Sequence, residues 1–388
     1  MTVTAGDVER ARDAVADVVR RTPVLASATL SERFGVPVVL KAESLQRTGS
    51  FKIRGALNKV AALGERCAAG VICGSAGNHA QALAFAALQR GVPCEVFMPD
   101  AAPVAKVEGA EALGARVVRA GATLDECIAA AQARAEEAGM VFVHPFDDTD
   151  VVAGQGTLGL ELLEDVPDLA KVLIPVGGGG LAAGVAIAIK SARPEVEIVG
   201  VRVDPTLTIA DGIAVKRPGA VTAPLLERWV DGIVRVEEDD VAEAIVLLLE
   251  RAKLVVEGAG AVGVAALVAG LTGAAASGTT AVVLSGGNVD AGLLAEVARH
   301  HETVAGRRLV ISTRVADRPG SLAGLLAVVG DSGANLLEVG HVREGIELHV
   351  RETGVQLVLE TRGREHAGAV LAAIAAAGYP ADGYSGVT

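Results

Sequence analysis

The 388-residue sequence predicts an α/β protein built on parallel sheets and followed by a smaller, differently patterned unit. Three observations lead there. Hydrophobic residues make up 51% of the chain and aromatics only 2%, so its core must be assembled from Ala, Val, Leu and Ile. From Lys52 onward short apolar runs alternate with helical segments, the pattern of strands covered by helices on both faces. The 47 glycines fall largely where a strand pattern gives way to a helix pattern, as tight strand-to-helix turns require.

Taken in order, residues 7–20 have helical spacing and "PVVLKAES" reads as a strand. A helix opens near Lys52 in "SFKIRGA". "VICGS" precedes a helix from about Asn78, "CEVFMP" one from about Pro103, and "ARVVRAG" one from about Thr123. "MVFVHP" leads to a helix near Val151–Leu163, and "KVLIPV" runs through four glycines into a helix ending near Ser191. "EIVGVRVD" and "TTAVVLSGGN" complete the strands, ahead of a helix at Ala291–His301. Ligands of such sheets sit beyond the carboxyl ends of the strands, where these glycine turns lie.

After "HHETVAGRR" the pattern becomes β-α-β-β-α, in "RLVISTRVA", "RPGSLAGLLAVVGDSG", "NLLEVGHVR", "GVQLVLETR" and "EHAGAVLAAIAAAG". That order approaches the ferredoxin-like βαββαβ unit. A domain boundary is expected near Val304–Arg307, in a short polar linker.

The net charge of −12 argues against a nucleic-acid binder, which needs clustered Lys and Arg. No basic amphipathic stretch suits an anionic membrane, and the most apolar run, Val262 to Ala276, is too short to span one. No secretory signal is visible at the N-terminus. Cys67, Cys73, Cys94 and Cys127 have neither CxxC pairing nor a disulfide-framework spacing, so buried thiols in a reducing compartment, and a cytoplasmic protein, are expected.

Lys52 stands between Phe51 and Ile53 where a helix begins. A cation there opposes the helix dipole by roughly 0.3–1 kcal/mol. A dry setting would lower its pKa, whereas the ordinary alternative is a surface lysine with its head in water. "IPVGGGGLAAG" runs a strand through four glycines into a helix start, a natural phosphate site. Gly178, Gly180 and Ala183, with Asp204 ending the next strand, also fit a dinucleotide fingerprint loosely, which keeps an NAD enzyme open.

"CGSAGNHAQ" and "VVLSGGNVD" are two more strand ends rich in small residues. Asn78 could bond a ligand oxygen or cap its helix, and Ser285 could meet a ligand or its own backbone. With Lys52 and the glycine turn, a small aromatic cofactor carrying a phosphate becomes the better account.

"SFKIRGA", "SAGNHAQ", "GGGGL", "TIADGIAV" and "SGGN", in this order over about residues 7–303, closely resemble the threonine dehydratases (threonine ammonia-lyases). These are pyridoxal-phosphate enzymes with the tryptophan-synthase-β-like architecture, fold-type II. The resemblance implies a catalytic domain over residues 1–303, with a smaller subdomain at about 52–150. The tail at 308–388, with "ADRPGSLAGLL", is similar to ACT domains, which bind amino acids.

The resemblance also implies roles. Lys52 would carry pyridoxal 5'-phosphate covalently, and a nucleophilic lysine benefits from a dry site. Phe51, Asn78, Gly177, Gly178, Gly179, Gly180, Leu181 and Ser285 would bind the cofactor, with Asn78 at its phenolic oxygen and Ser285 at its ring nitrogen. The backbone of Ser75, Ala76, Gly77, Asn78 and His79 would hold the substrate carboxylate. The implied reaction is β-elimination from L-threonine, and L-serine, to 2-oxobutanoate or pyruvate and ammonia. An isoleucine or valine effector at the ACT-like unit, a place in isoleucine synthesis and a homo-oligomer, most often a tetramer, complete what it implies.

Two positions refine the expectation. Serine racemases carry a serine before the "GN", acting as a second base, where this chain has Ala76. The loop between Asp204 and "TIADGIAV" is shorter than is usual in the family, and Asp204 alone is no cation site, so no metal is expected. A β-replacing sulfhydrylase, a serine racemase-like enzyme and a catalytically dead amino-acid sensor remain the alternatives.

Overall fold

The computed structural model describes residues 2–384 except Pro103, Pro205, Leu207 and 343–348; for Ala105 and 381–384 it describes the backbone alone. Two compact units divide at Val289 and Asp290.

In the first, α1 (Ala5–Val15), β1 (Val24–Ala26), α2 (Ala28–Phe34) and β2 (Val38–Ala42) precede α3 (Lys52–Leu63). A subdomain follows: β3 (Val71–Gly74), α4 (Asn78–Arg90), β4 (Cys94–Met98), α5 (Val104–Glu111), β5 (Arg116–Arg119), α6 (Leu124–Ala138) and β6 (Val141–Phe142). The chain then returns through α7 (Thr149–Asp165), β7 (Leu169–Pro175), α8 (Gly180–Ala192) and β8 (Glu197–Arg202). α9 (Thr222–Trp229), β9 (Gly232–Arg235), α10 (Glu238–Leu247), α11 (Gly258–Val268) and β10 (Thr279–Leu284) complete it.

The larger sheet has the order β1-β2-β10-β7-β8-β9, parallel throughout except that β1 runs against β2. The smaller one, β5-β4-β3-β6, is wholly parallel. All of β10 and nearly all of β7 are buried, as strands covered on both faces must be. Small residues let the covering helices come close. A Cβ on Gly184 of α8 would lie 2.3 Å from the Val152 carbonyl of α7. Val172, Ile174, Ile187, Ile198 and Val283 centre the larger core, and Ile53, Val60, Leu83, Val96 and Met98 the smaller.

The helix expected over 7–20 stops at Val15, because the chain turns there and packs Val18 and Val19 against the smaller core. β1, α2, α9, β9, α10 and α11 have no counterpart in the sequence reading. β1 is only three residues long, and α11 is buried on every side, so it shows no amphipathic period.

The second unit holds α12 (Ala291–Val304), β11 (Arg308–Ala316), α13 (Ser321–Asp331), β12 (Asn335–Val342), β13 (Glu352–Glu360), α14 (Arg364–Ala376) and β14 (Ala381–Tyr384). Its antiparallel sheet has the order β12-β13-β11-β14, a βαββαβ chain path preceded by α12. Leu309, Ile311, Leu325, Leu357, Val370 and Ile374 form its core. The polar stretch near 304–307 is the turn from α12 into β11, with Gly306 at φ 68°. Arg343, expected to end a strand, and the tail past Tyr384 lie outside the described residues. Among the described residues no helix is long and apolar enough to cross a membrane, and all four cysteines are free and buried.

Candidate active site

Lys52 opens α3, and the start of that helix is stitched to the end of β10. The Phe51 N–H donates to the Ser285 carbonyl at 3.0 Å, and Ser50 forms a β-bridge with Gly286. Lys52 is half-buried. Its Nζ donates to the Pro145 carbonyl at 2.8 Å and lies 5.3 Å from the centre of the Phe51 ring. Burial pushes the amine down to about 8, against the pull of the Glu257 charge. This is the dry lysine, not the solvated one.

The glycine run, Gly177 to Gly180, joins β7 to α8, with Gly179 at φ 94°. A Cβ on Gly178 would lie 2.2 Å from the Phe146 ring, so glycine is what lets that ring lie against the loop. Thr222 Oγ1 donates to the Gly178 carbonyl at 2.6 Å and fixes the loop from behind. Among the described residues, nothing accepts from the N–H groups of Gly177, Gly178, Gly179, Gly180, Leu181 and Ala182. Six consecutive unmatched donors at a helix start form an anion site.

A second cradle lies between β3 and α4. There the expectation of five carboxylate-binding N–H groups changes. Ser75 N–H donates to the Phe97 carbonyl at 2.9 Å and Gly77 N–H to Ser75 Oγ at 3.2 Å, which leaves Ala76, Asn78 and His79 without acceptors among the described residues. His79 Nε2 donates to the Val143 carbonyl at 3.1 Å, and burial, reinforced by the nearby Lys52 charge, pushes the imidazole down to about 3. His79 is therefore neutral.

Asn78 does not cap its helix, since Gly77 occupies that position. Its Nδ2 donates to Glu257 Oε1 and its Oδ1 accepts from Asn288 Nδ2, both at 2.7 Å. Ser285 Oγ, nearly fully buried, makes a long 3.3 Å bond to the Ala259 carbonyl and none to its own turn. The fold thus brings Lys52, Phe51, Asn78, the glycine run and Ser285 to one place.

Three participants were not singled out in the sequence. Glu257 precedes α11 in an apolar run; burial, with the Asp211 charge adding to it, pushes its carboxyl up to about 7, against the Asn78 bond and the Lys106 and Lys52 charges. Pro145 supplies the carbonyl for Lys52, and Phe146 packs on the glycines. Only their position at the end of the "MVFVHP" run hints at either.

Asp204, central to the shortened loop, accepts from Thr206 N–H and Oγ1 at 2.9 and 2.6 Å; its neighbours Pro205 and Leu207 lie outside the described residues. Among the described residues no group of three or more His, Cys, Asp or Glu is placed to hold a metal ion.

A phosphorylated pyridine aldehyde suits this donor set. The desolvated amine matches an aldehyde, the six N–H groups match a phosphate, and Ser285 can meet a ring nitrogen. Ser50 Oγ, two residues before Lys52, is buried and has no partner among the described residues.

Comparison with known proteins agrees with the chemistry. Residues 15–286 match the pyridoxal-phosphate dependent enzyme family, and the chain belongs to that family. An L-threonine ammonia-lyase of Geobacter sulfurreducens is 46% identical over 394 residues, spanning 97% of this chain and 98% of that protein. Among solved structures, the processed form of threonine deaminase isoform 2 from Solanum lycopersicum is similar at 33% identity and TM-score 0.70, over 77% of this chain and 90% of that one. Maize serine racemase is similar at 33% identity and TM-score 0.73, over 78% of this chain and 98% of that one. Family membership sets aside the NAD reading of the glycine turn.

Proposed function

We propose that the chain is a threonine ammonia-lyase, converting L-threonine to 2-oxobutanoate and ammonia, and L-serine to pyruvate and ammonia. The observation that carries this reading is Lys52, an amine held near neutrality between two sets of unmatched backbone donors. Pyridoxal phosphate bound there supplies an electron sink for a bond broken at the substrate Cα.

The chain's own groups do the rest. N–H groups of Gly177 to Leu181 would hold the phosphate, Phe51 would pack on the ring, Asn78 would meet its phenolic oxygen, and the uncharged Ser285 hydroxyl would meet its ring nitrogen. The N–H groups of Ala76, Asn78 and His79 hold the substrate carboxylate and so fix which Cα bond faces Lys52. Lys52 Nζ, as the free amine, would take the Cα proton as general base, which its pKa of about 8 permits. The Cα–H and Cβ–O bonds break, Cα and Cβ become doubly bonded, and the hydroxyl leaves as water with one proton, which balances the one Lys52 removes from Cα. Hydrolysis of the released enamine yields the keto acid and ammonia.

Ala76 offers no proton to the opposite face, so purified protein will form little D-serine from L-serine. Rapid D-serine formation, followed by chiral chromatography, contradicts the lyase reading in favour of a racemase.

The second unit is read as an ACT domain that senses isoleucine or valine, which suits an enzyme of isoleucine synthesis. Its βαββαβ path and the turn "DRPGSL" at the start of α13 support this. A cytoplasmic homo-tetramer is the assembly expected. Threonine kinetics that no branched-chain amino acid alters would remove the sensing role.

The deciding assay is 2-oxobutanoate release from L-threonine, with Lys52→Ala beside the wild type. Loss of at least about 10³-fold in the variant is expected; equal rates, or none in either protein, overturn the proposal.

A further inference from the structure

Glu257 is buried at 7% exposure just ahead of α11, and nothing in the proposed reaction uses it. Its Oε1 accepts from Asn78 Nδ2 at 2.7 Å, and its backbone N–H donates to the Gly286 carbonyl at 3.1 Å, next to Ser285. A Cβ on Gly286 would lie 2.2 Å from that same Oε1, so the glycine after Ser285 makes room for the carboxyl. On the other side of the Asn78 amide, Asn288 Nδ2 donates to Oδ1 at 2.7 Å and also to the Thr48 carbonyl at 2.8 Å.

An acceptor on the nitrogen and a donor on the oxygen leave the amide one allowed orientation, since a flip would set like groups against each other. One N–H of Nδ2 is then committed to Glu257. The other has no acceptor among the described residues.

We propose that Glu257 is a positioning residue: it holds the Asn78 amide so that the remaining N–H is presented to the cofactor's phenolic oxygen, and its proton occupancy tunes that contact. This rests on cofactor binding at Lys52, which the wild-type spectrum reports independently.

The charges facing Glu257 are Asp211, from the turn before α9, Lys106 of α5 and Lys52 of α3. Lys106 and Asp211 also pair with each other at 2.8 Å. Burial and Asp211 favour the protonated carboxyl and the two lysines the ionised one, so the group changes state near pH 7. Ionised, it is the stronger acceptor for Asn78. Protonated, it still accepts through its carbonyl oxygen, but more weakly.

The test uses full-length protein reconstituted with pyridoxal phosphate. It reads the absorbance maximum of the bound cofactor from pH 5 to 9, the cofactor dissociation constant, and kcat against KM for L-threonine. Glu257→Gln keeps an acceptor for Asn78 but cannot titrate. It is expected to bind the cofactor within about threefold of wild type and to lose the absorbance transition near pH 7. Glu257→Ala removes the acceptor and is expected to weaken cofactor binding at least about tenfold, with a shifted absorbance maximum and a fall in kcat larger than any rise in KM.

If Glu257→Ala does not fold, Glu257→Gln carries the test alone. A Gln variant with the wild-type pH titration of absorbance overturns the proposal, as does an Ala variant with wild-type spectrum and affinity. Failure of the wild type to take up cofactor would instead refute binding at Lys52.

Discussion

Lys52 and Arg54 lie two residues apart at the start of α3, and both are withdrawn from water, yet their surroundings share almost nothing. The Arg54 guanidinium is fully buried. It donates to both oxygens of Glu43 at 2.8 Å, to both oxygens of Glu161 at 2.7 and 3.0 Å, and to Thr157 Oγ1 at 3.1 Å. Glu161 also accepts from Lys41 Nζ at 2.6 Å. Lys52 has one neutral carbonyl and an aromatic ring. A buried cation with two carboxylates is kept charged and immobile, while one without a close anion is driven toward its neutral, nucleophilic form. Helix α3 thus carries a structural cation and a reactive one side by side, and compensation by neighbours decides which is which.

Replacing the structural cation should have the largest effect on stability. Arg54→Met leaves Glu43 buried without its bidentate partner and is expected to cost about 3–5 kcal/mol in urea unfolding. A loss below about 1 kcal/mol would mean that the network does not set the charge of Arg54.

The reactive cation should respond in the opposite direction. In cofactor-free protein, Lys52→Met is expected to match or exceed wild-type stability at pH 7. Folding lowers the Lys52 pKa from 10.5 to about 8, so between those values the unfolded chain binds the extra proton and wild-type stability rises with pH. The wild-type disadvantage, about 1–3 kcal/mol, should shrink from pH 8 to 10.5. A gap that widens with pH has the wrong sign for this account.

A subtler difference concerns the glycine loop. Gly178→Ala drives a methyl into the Phe146 ring and is expected to weaken cofactor binding about tenfold, by the overpacking cost of about 1–3 kcal/mol. Phe146→Leu in the same chain should restore part of it in a cofactor titration. No recovery would show that the ring is not what Gly178 accommodates.

Much of this was legible in the sequence because it is local. Strands that end in glycines, four of them in a row before α8, announce the carboxyl ends of sheet strands and an anion site whatever the remote packing does. Lys52 was visible as an oddity, a cation flanked by Phe51 and Ile53, but the carbonyl it meets, on Pro145, and the opposing charge, on Glu257, lie 93 and more residues away. Arg54 lies in the same quoted heptapeptide and gave no sign of its role, since Glu43 and Glu161 come from separate elements. Helix α11 hid for the converse reason: burial on all sides erases the period that marks a helix. The ordinary alternatives for Asn78 and Ser285, a helix cap and a turn hydroxyl, were equally sound locally, and only tertiary partners displaced them.

The most direct test is to load the protein with pyridoxal phosphate at pH 8, reduce with borohydride and map the labelled peptide by mass spectrometry. The account predicts one label per chain, on Lys52, and none on the buried, ion-paired Lys41. Label on another lysine with Lys52 unmodified would contradict it.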